Sequence, residues 1–151
     1  MEVRVAGADD MGHMAGLLGQ FDEPEHPAGP EPVFAAELLR WWGAHQASHV
    51  PFLGVIPSGA AVGMAWLAIA ARVPRPGGQG RLCGDVQSVY VVPHNRSAGI
   101  GTALIKAVVR HADALGLEHV TVHANERARS LYERAGFAAS CDVLLRTRGE
   151  R

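Results

Sequence analysis

The chain has 151 residues, of which 48% are hydrophobic and 19% are charged, and its formal net charge is −1 with histidine neutral. This length and apolar content are typical of one globular domain, which we expect to span residues 1–151, and they exclude a disordered chain. The near-zero charge gives no overall attraction to nucleic acid or to an acidic membrane, so we expect neither as a partner.

Cysteine usage and apolar runs indicate the compartment. Cys83 and Cys141 lie outside any CxxC or Cys/His cluster, so we expect neither a disulfide framework nor a metal site. The first ten residues lack the pattern of a signal peptide, and the longest apolar run, residues 60–71, is too short to cross a bilayer. We therefore expect a cytoplasmic protein. Thirteen of its 14 basic residues are arginine, a bias that we attribute to a GC-rich bacterial genome.

The first half of the chain is predicted to form strands and helices in alternation. In its predicted strands, apolar residues either alternate with polar ones or are consecutive, whereas in its predicted helices they lie three or four positions apart. The turn PSGA between the last two strands is typical of a hairpin. In chain order these elements are a strand over 2–6, a helix from a cap at Asp9 or Asp10 to Phe21, a proline- and acid-rich loop over 22–32, a helix over 33–46, and strands over 50–56 and 61–71.

The second half is predicted to contain a βαβ unit over 82–124, which makes the class α+β. Its long helix is amphipathic, because five apolar residues share one face; these are Ile100, Leu104, Val108, Ala112 and Leu115. In chain order the elements are a loop over 74–80, a strand over 81–92 ended by Pro93, a helix between Gly99 and Gly116, a strand over 117–124, a short helix between Asn125 and Gly136, and one or two closing strands within 137–147.

A basic, glycine-rich turn separates the buried strand from the long helix. The first-turn amides of a helix lack internal partners, and the helix dipole places partial positive charge there. Glycines at 99 and 101 let the backbone approach a phosphate, and Arg96 adds a planar cation. A Walker loop and a dinucleotide fingerprint are both excluded, the second because Leu104 replaces the third glycine. What remains is a phosphate site of the pattern R-x-x-G-x-G.

Two segments together resemble the GNAT N-acetyltransferase superfamily: VQSVYVVPHNRSAGIGTALI (86–105) and VTVHANERARSLYERAGF (120–137). The resemblance covers roughly 83–138, and the order of earlier elements fits it. It implies an α/β/α sandwich around a mixed, mostly antiparallel sheet, in which a parallel strand pair, 85–92 and 118–124, splays apart. It also implies acetyl-CoA as the co-substrate, a primary amine as the acceptor, no metal and, in many members, a homodimer.

The resemblance further implies the cofactor-binding and acid residues. Amides near Val91 and Val92 would pair with the pantetheine arm and hold the thioester carbonyl, where an amide can stabilise oxyanion charge. Asn125 would contact the same arm, and Tyr132 would donate a proton to the departing sulfur as general acid. The pyrophosphate would bind amides of the turn, which comprises Arg96, Ser97, Ala98, Gly99, Ile100, Gly101 and Thr102.

The residue that deprotonates the amine is the least determined part of the site. Asp85 lies six residues before Val91, where the family often has a carboxylate, but it is shorter than the usual glutamate. His123 is the second candidate because imidazole titrates near neutral pH, and water is the third. Gln87 cannot act as a base.

Two other functions remain open from the residues alone. One is an acyltransferase that uses a longer acyl-CoA, and the other is a catalytically silent acyl-CoA sensor or interaction module. The acceptor amine is not encoded in any motif, and we expect the segments 22–46 and 72–81 to select it. In the second segment, Arg72, Arg75 and Arg81 either form a solvated hairpin or contact an acidic substrate or the adenosine 3′-phosphate.

Overall fold

A five-stranded sheet forms the centre of the computed structural model, which describes residues 1–29 and 31–149. Its strands lie side by side in the order of the sequence. All neighbours are antiparallel except the last pair, which is parallel. The predicted mixed, mostly antiparallel sheet is therefore confirmed. The strands are β1 (Glu2–Val5), β2 (His49–Val55), β3 (Ala61–Ala71), β4 (Leu82–Val91) and β5 (Val120–Val122).

Helices cover both faces of this sheet, which gives the predicted α/β/α sandwich. In the described ranges they are α1 (Met11–Asp22), α2 (Pro32–His45), α3 (Ile100–Ala114) and α4 (Glu126–Arg134). On one face, α1 and α2 share a buried cluster with Met64 and Trp66 of β3. On the other, α3 and Tyr132 of α4 share a buried cluster with Leu67 and Val86. No helix in these ranges is both long enough and apolar enough to cross a membrane.

The ends of the helices follow local chemistry. Asn125 caps α4 as predicted, since its Oδ1 accepts a hydrogen bond from the Ala128 amide at 2.9 Å. Gly116 and Gly136, with φ of +69° and +96°, follow the ends of α3 and α4. Asp10 precedes α1 but does not cap it with its side chain. Its carboxylate instead accepts from the Gly7 amide and from both terminal nitrogens of the Arg4 guanidinium.

The apolar face predicted for α3 is correct except at its end. Ile100, Leu104, Val108 and Ala112 are buried, but Leu115 is 45% exposed. The reason is that α3 ends at Ala114 and the chain turns at Gly116, so the periodicity that placed Leu115 on this face no longer applies.

The predicted closing strands within 137–147 are wrong for the described part of the chain, which has no strand after β5. Val143, Leu144 and Leu145 are 62%, 93% and 69% exposed. Their short apolar run is compatible with a strand, but a strand also needs a neighbouring strand with which its backbone can pair. Because β5 has three residues, the sheet offers this segment little edge with which to pair.

Candidate active site

A gap opens between the two parallel strands. They pair over three residues, from Gly84 opposite Val120 to Val86 opposite Val122. Beyond this point β4 continues to Val91 and remains paired with β3, whereas β5 ends. The edge of β4 from residue 87 onward therefore faces an opening rather than another strand.

A bulge lies in β4 beside the start of this gap. Trp66 of β3 pairs with Gln87, and Met64 pairs with Tyr90, so two β4 residues stand opposite one residue of β3. One of the two, Ser88, has a φ of +51°, which is unusual for a residue other than glycine. The bulge re-aims Ser88 so that it lines a cavity on the α1 and α2 side of the sheet. The sequence carried no signal of this bulge.

The end of β4 presents one backbone donor to the gap. Val92 donates its N–H to the Val62 carbonyl at 2.8 Å and accepts from the Asn95 amide at 2.9 Å. Because amide directions alternate along an antiparallel strand, the N–H of Val91 is directed away from β3 and toward the gap. Val91 can thus bond to a ligand through its backbone, but Val92 has only its side chain to contribute.

The turn between β4 and α3 has the geometry of an anion site. Ser97 and Gly99 have φ of +64° and +81°, and α3 begins without a side-chain cap. Within the described residues, none of the six amides from 97 to 102 donates a hydrogen bond to another protein group. These donors lie together at the positive end of a helix, which is an arrangement that binds phosphate.

Arg96 occupies the rim of this turn and is partly engaged by the protein. Its Nε donates to the Val91 carbonyl at 2.9 Å, and its guanidinium carbon lies 5.5 Å from the centre of the Tyr90 ring. Its amide donates to the Pro93 carbonyl at 3.3 Å, so it is not among the unpaired donors. Arg96 therefore offers an anion its side-chain charge rather than its backbone.

Tyr132 lies on α4 with its ring buried and only 6% of the residue exposed. Its ring meets Phe137 edge to face at 5.7 Å. Burial raises the pKa of the Tyr132 hydroxyl, which keeps it protonated at neutral pH. Within the described residues this hydroxyl makes no hydrogen bond.

The start of α3, the end of β4 and α4 meet at one place. A Cβ added to Gly101 would lie 3.5 Å from Leu131 Cδ2 and 3.8 Å from Val91 Cγ2. Asn125 begins α4 at the end of the chain segment that follows β5. Since its Oδ1 is used by the cap, the part of its side chain left to contact a ligand is the amide nitrogen.

Asp85 lies on the opposite face of the sheet from Tyr132. Its register partner Ala68 and the neighbouring pair Trp66–Gln87 project toward α1 and α2. The Asp85 carboxylate accepts hydrogen bonds from Thr121 Oγ1 at 2.8 Å and from Gln87 Nε2 at 3.2 Å. His123 lies two residues after Thr121, immediately beyond the end of β5, and is exposed.

Asp85 and Val91 cannot both touch one thioester. They are six residues apart on one strand, about 20 Å at roughly 3.3 Å per residue. The resemblance to the GNAT superfamily implied that both act at the point of transfer. The structure separates them, with the Ser88 bulge in between.

A cavity of about 660 Å³ lies between the end of α1 and the start of α2, with Ser88 in its wall. Among the described residues, its lining includes four carboxylates, from Asp22, Glu23, Glu31 and Glu37, and no arginine or lysine. The sequence led us to expect that the segment 22–46 selects the substrate. That its side chains lie beside the Ser88 bulge depends on the tertiary fold.

The arginine-rich hairpin lies elsewhere. Arg72, Arg75 and Arg81 line a second cavity of about 480 Å³ at the opposite end of β4 from the glycine turn. Arg81 is held by Glu118, with a contact of 2.8 Å, and donates to the Val73 carbonyl at 2.7 Å. Over residues 1–29 and 31–149, no three His, Cys, Asp or Glu side chains are placed so that they could hold one metal ion.

Comparison with known proteins places this arrangement in a family. The model of the acetyltransferase (GNAT) family matches residues 16–137. A glucosamine 6-phosphate N-acetyltransferase of Trypanosoma brucei brucei is 30% identical over 145 residues, which cover 92% of this chain and 90% of that protein. A mycothiol acetyltransferase of Propionibacterium freudenreichii is 37% identical over 90 residues, 57% of this chain and 27% of that protein.

Solved structures share the whole fold. A Trypanosoma brucei acetyltransferase has a TM-score of 0.78 at 30% identity, covering 97% of this chain and 98% of its own. A predicted acetyltransferase of Clostridium acetobutylicum, crystallised with acetyl-CoA, has a TM-score of 0.74 at 18% identity, covering 97% of this chain and 95% of its own. The second likeness concerns the fold alone.

Proposed function

Because this chain belongs to the acetyltransferase (GNAT) family and is an acyltransferase, we propose that it transfers the acetyl group of acetyl-CoA directly to a primary amine. The observation that carries the proposal is the set of six unpaired amides at residues 97–102, next to the gap between β4 and β5. A plain strand-to-helix turn does not need so many unpaired donors at a helix terminus.

In this proposal the cofactor lies along the gap. The pyrophosphate binds the amides of Ser97, Ala98, Gly99, Ile100, Gly101 and Thr102, and the Arg96 guanidinium adds its charge. The N–H of Val91 and the side-chain nitrogen of Asn125 hold the pantetheine arm from its two sides. Val92 contributes apolar contact only, because both its backbone groups are used.

We place acetyl transfer near the Ser88 bulge rather than at Val91. The cavity between α1 and α2 reaches β4 at Ser88, so an amine entering there meets the gap at that point. Asp85 is three residues away, about 10 Å along the strand. This is a distance that a water chain can bridge, so Asp85 acts as base through water, with His123 as the alternative.

Acid and base then act from opposite faces of the sheet. The amine approaches from the α1 and α2 face, where Asp85 and the cavity lie. Tyr132 stands on the α3 and α4 face and, being protonated, donates to the sulfur as the carbon–sulfur bond breaks. The amine gains the acetyl group and loses a proton to water and Asp85, and coenzyme A leaves as the thiol.

We also propose that the protein is bacterial and cytoplasmic. In this proposal residues 1–151 form one domain, and two copies form a homodimer. Its free cysteines, Cys83 and Cys141, suit a reducing compartment. The exposed apolar residues Val143, Leu144 and Leu145 supply a surface that a second copy can cover. Sedimentation at micromolar protein, compared with a variant that has serine at these three positions, measures the dimer.

Two measurements test the function. Calorimetry measures the binding of coenzyme A, and the release of thiol from acetyl-CoA is then followed with each of a panel of primary amines. We expect binding and amine-dependent turnover. Binding without turnover on any amine would favour the sensor instead. Faster turnover with propionyl-CoA or succinyl-CoA than with acetyl-CoA would favour the longer acyl donor.

A further inference from the structure

The cavity between α1 and α2 has a character that the proposed function does not explain. We infer that it binds an acceptor with two features, an apolar body and a second positive charge remote from the reacting amine. This inference rests on the proposed function, because it takes Ser88 as the point where the acceptor meets the acetyl group.

Unpaired carboxylates give the first reason. Of the four acids in the lining, Glu31 is used by α2, accepting from the Val33 and Phe34 amides. Asp22, Glu23 and Glu37 form no salt bridge with any side chain in the described ranges. No arginine or lysine of the described part of the chain lines this cavity. Three carboxylates around one open cavity attract a cation and repel an anion.

Backbone charge acts in the same direction. Asp22 and Glu23 lie at the carboxyl end of α1, where the last carbonyls carry partial negative charge. The opposing start of α2 would favour an anion, but the Glu31 side chain already accepts from its first amides. The positive end of one helix is thus neutralised while the negative end of the other remains open.

Exposed apolar side chains give the second, independent reason. Phe21, Val33 and Phe34 are 49%, 74% and 38% exposed, and all three line this cavity. Leu18 lies among them. A ligand with an apolar body that covers these side chains removes their surface from water. This stabilises binding by roughly 25 cal/mol for each Å² of apolar surface buried.

The acidic and apolar lining disfavours the acceptor named for one relative. Glucosamine 6-phosphate carries a phosphate, and in the part of the chain that the structure describes the cavity has no basic side chain other than His26 to receive it. The arginines that could bind a phosphate lie beside residues 72–81, at the other end of β4. The charge and the apolar groups of this lining favour an aromatic or long-chain diamine over a phosphosugar.

Three matched acceptors test the inference: 1,4-bis(aminomethyl)benzene, 4-methylbenzylamine and 4-(aminomethyl)benzoate. Each presents a benzylic amine on the same ring, and the opposite substituent is a cation, a methyl group or an anion. We expect kcat/KM to fall about tenfold from the diamine to the methyl compound and further to the benzoate. We also expect glucosamine 6-phosphate to be poorer than glucosamine.

Salt and two variants identify the source of the preference. Raising sodium chloride from 0.02 M to 0.5 M reduces the advantage of the diamine severalfold, since exposed charges are screened. Glu37→Gln reduces it about three- to tenfold by removing one unpaired carboxylate from α2. Asp113→Asn, which removes an exposed carboxylate from α3 on the other face, leaves the preference unchanged.

The outcomes separate this inference from the function beneath it. If calorimetry shows no uptake of coenzyme A, the proposed function fails and the inference fails with it. If acetyl-CoA binds and the neutral or anionic acceptor is used as well as the diamine, the function stands and the inference is overturned. If none of the three acceptors reacts, thermal shift measures their binding, and equal or absent stabilisation by the diamine overturns it too.

Discussion

Thr121 donates its hydroxyl hydrogen to the carboxylate of Asp85 at 2.8 Å, across the last part of the sheet where β4 and β5 are still paired. One register step beyond this contact the pairing ends and the gap begins. The bond therefore fixes both the position of the candidate base and the closed end of the gap. Gln87 donates to the other carboxylate oxygen at 3.2 Å, so the group is oriented from two sides.

Because of this contact, the catalytic role of the Asp85 charge can be tested separately from the structural role of its hydrogen bond. Asp85→Asn keeps an oxygen that can accept from Thr121 but removes the ability to take a proton. If Asp85 is the base, kcat/KM falls about 10- to 100-fold. Thr121→Val, which leaves the carboxylate but removes one of its orienting donors, should cost less. Unchanged rates in Asp85→Asn would transfer the role to His123 or to water alone.

Tyr132→Phe tests the general acid. The ring is buried and the hydroxyl makes no hydrogen bond in the described residues, so we expect little change in melting temperature. We expect kcat to fall about 100-fold with little effect on the affinity for coenzyme A. Tyr90→Phe is the matched control, because Tyr90 lies on the other face and its hydroxyl bonds Gln20 at 3.4 Å. Equal rates in the two variants would contradict the assignment.

The pH profile of the wild type provides a second test of Tyr132. Burial raises the pKa of its hydroxyl above the ordinary value of 10.0. A raised pKa keeps the acid protonated, so its contribution is full below pH 10.0 and is lost only as the pH rises through the higher value. We therefore expect that any decline in the kcat of the wild type between pH 7 and pH 9 also appears in Tyr132→Phe.

Two variants of Gly99 test the anion site with matched shapes. Gly99 has a φ of +81°, and a Cβ added there meets nothing within 4 Å. Asn and Asp tolerate this conformation better than other side chains, so each should cost only about 1 kcal/mol of stability. Gly99→Asp should weaken coenzyme A binding at least tenfold more than Gly99→Asn, because its charge faces the phosphates. Equal dissociation constants by calorimetry would place the phosphates elsewhere.

Stability at low pH depends on Asp10. The Arg4 guanidinium and the Gly7 amide hold the pKa of this carboxyl at about 2, against an ordinary value of 3.8. A lowered pKa gives stability that is complete above pH 3.8 and is lost as the pH falls through about 2. Since Arg4 is 40% exposed, we expect only about 1 kcal/mol. Urea unfolding should show this difference between wild type and Asp10→Asn at pH 7, and a smaller one near pH 2. A constant difference would mean that the charge of Asp10 contributes nothing.

Local signals predicted most of the fold. Apolar periodicity located the helices and β2, β3 and β4 to within one or two residues, and Asn125, Gly116 and Gly136 marked helix ends correctly. Periodicity failed where a partner decides the outcome. The segment around Leu144 has the pattern of a strand and pairs with nothing, and the strand predicted over 117–124 is reduced to three residues.

The sequence by itself determined the anion turn, because strand, glycines and helix are consecutive, and backbone conformation there depends on the residues themselves. The parallel gap, the Ser88 bulge, the separation of Asp85 from Val91 and the acid-lined cavity were decided only by the tertiary structure. Each of them depends on which strands pair and in what register, and pairing brings together residues that are far apart in the chain.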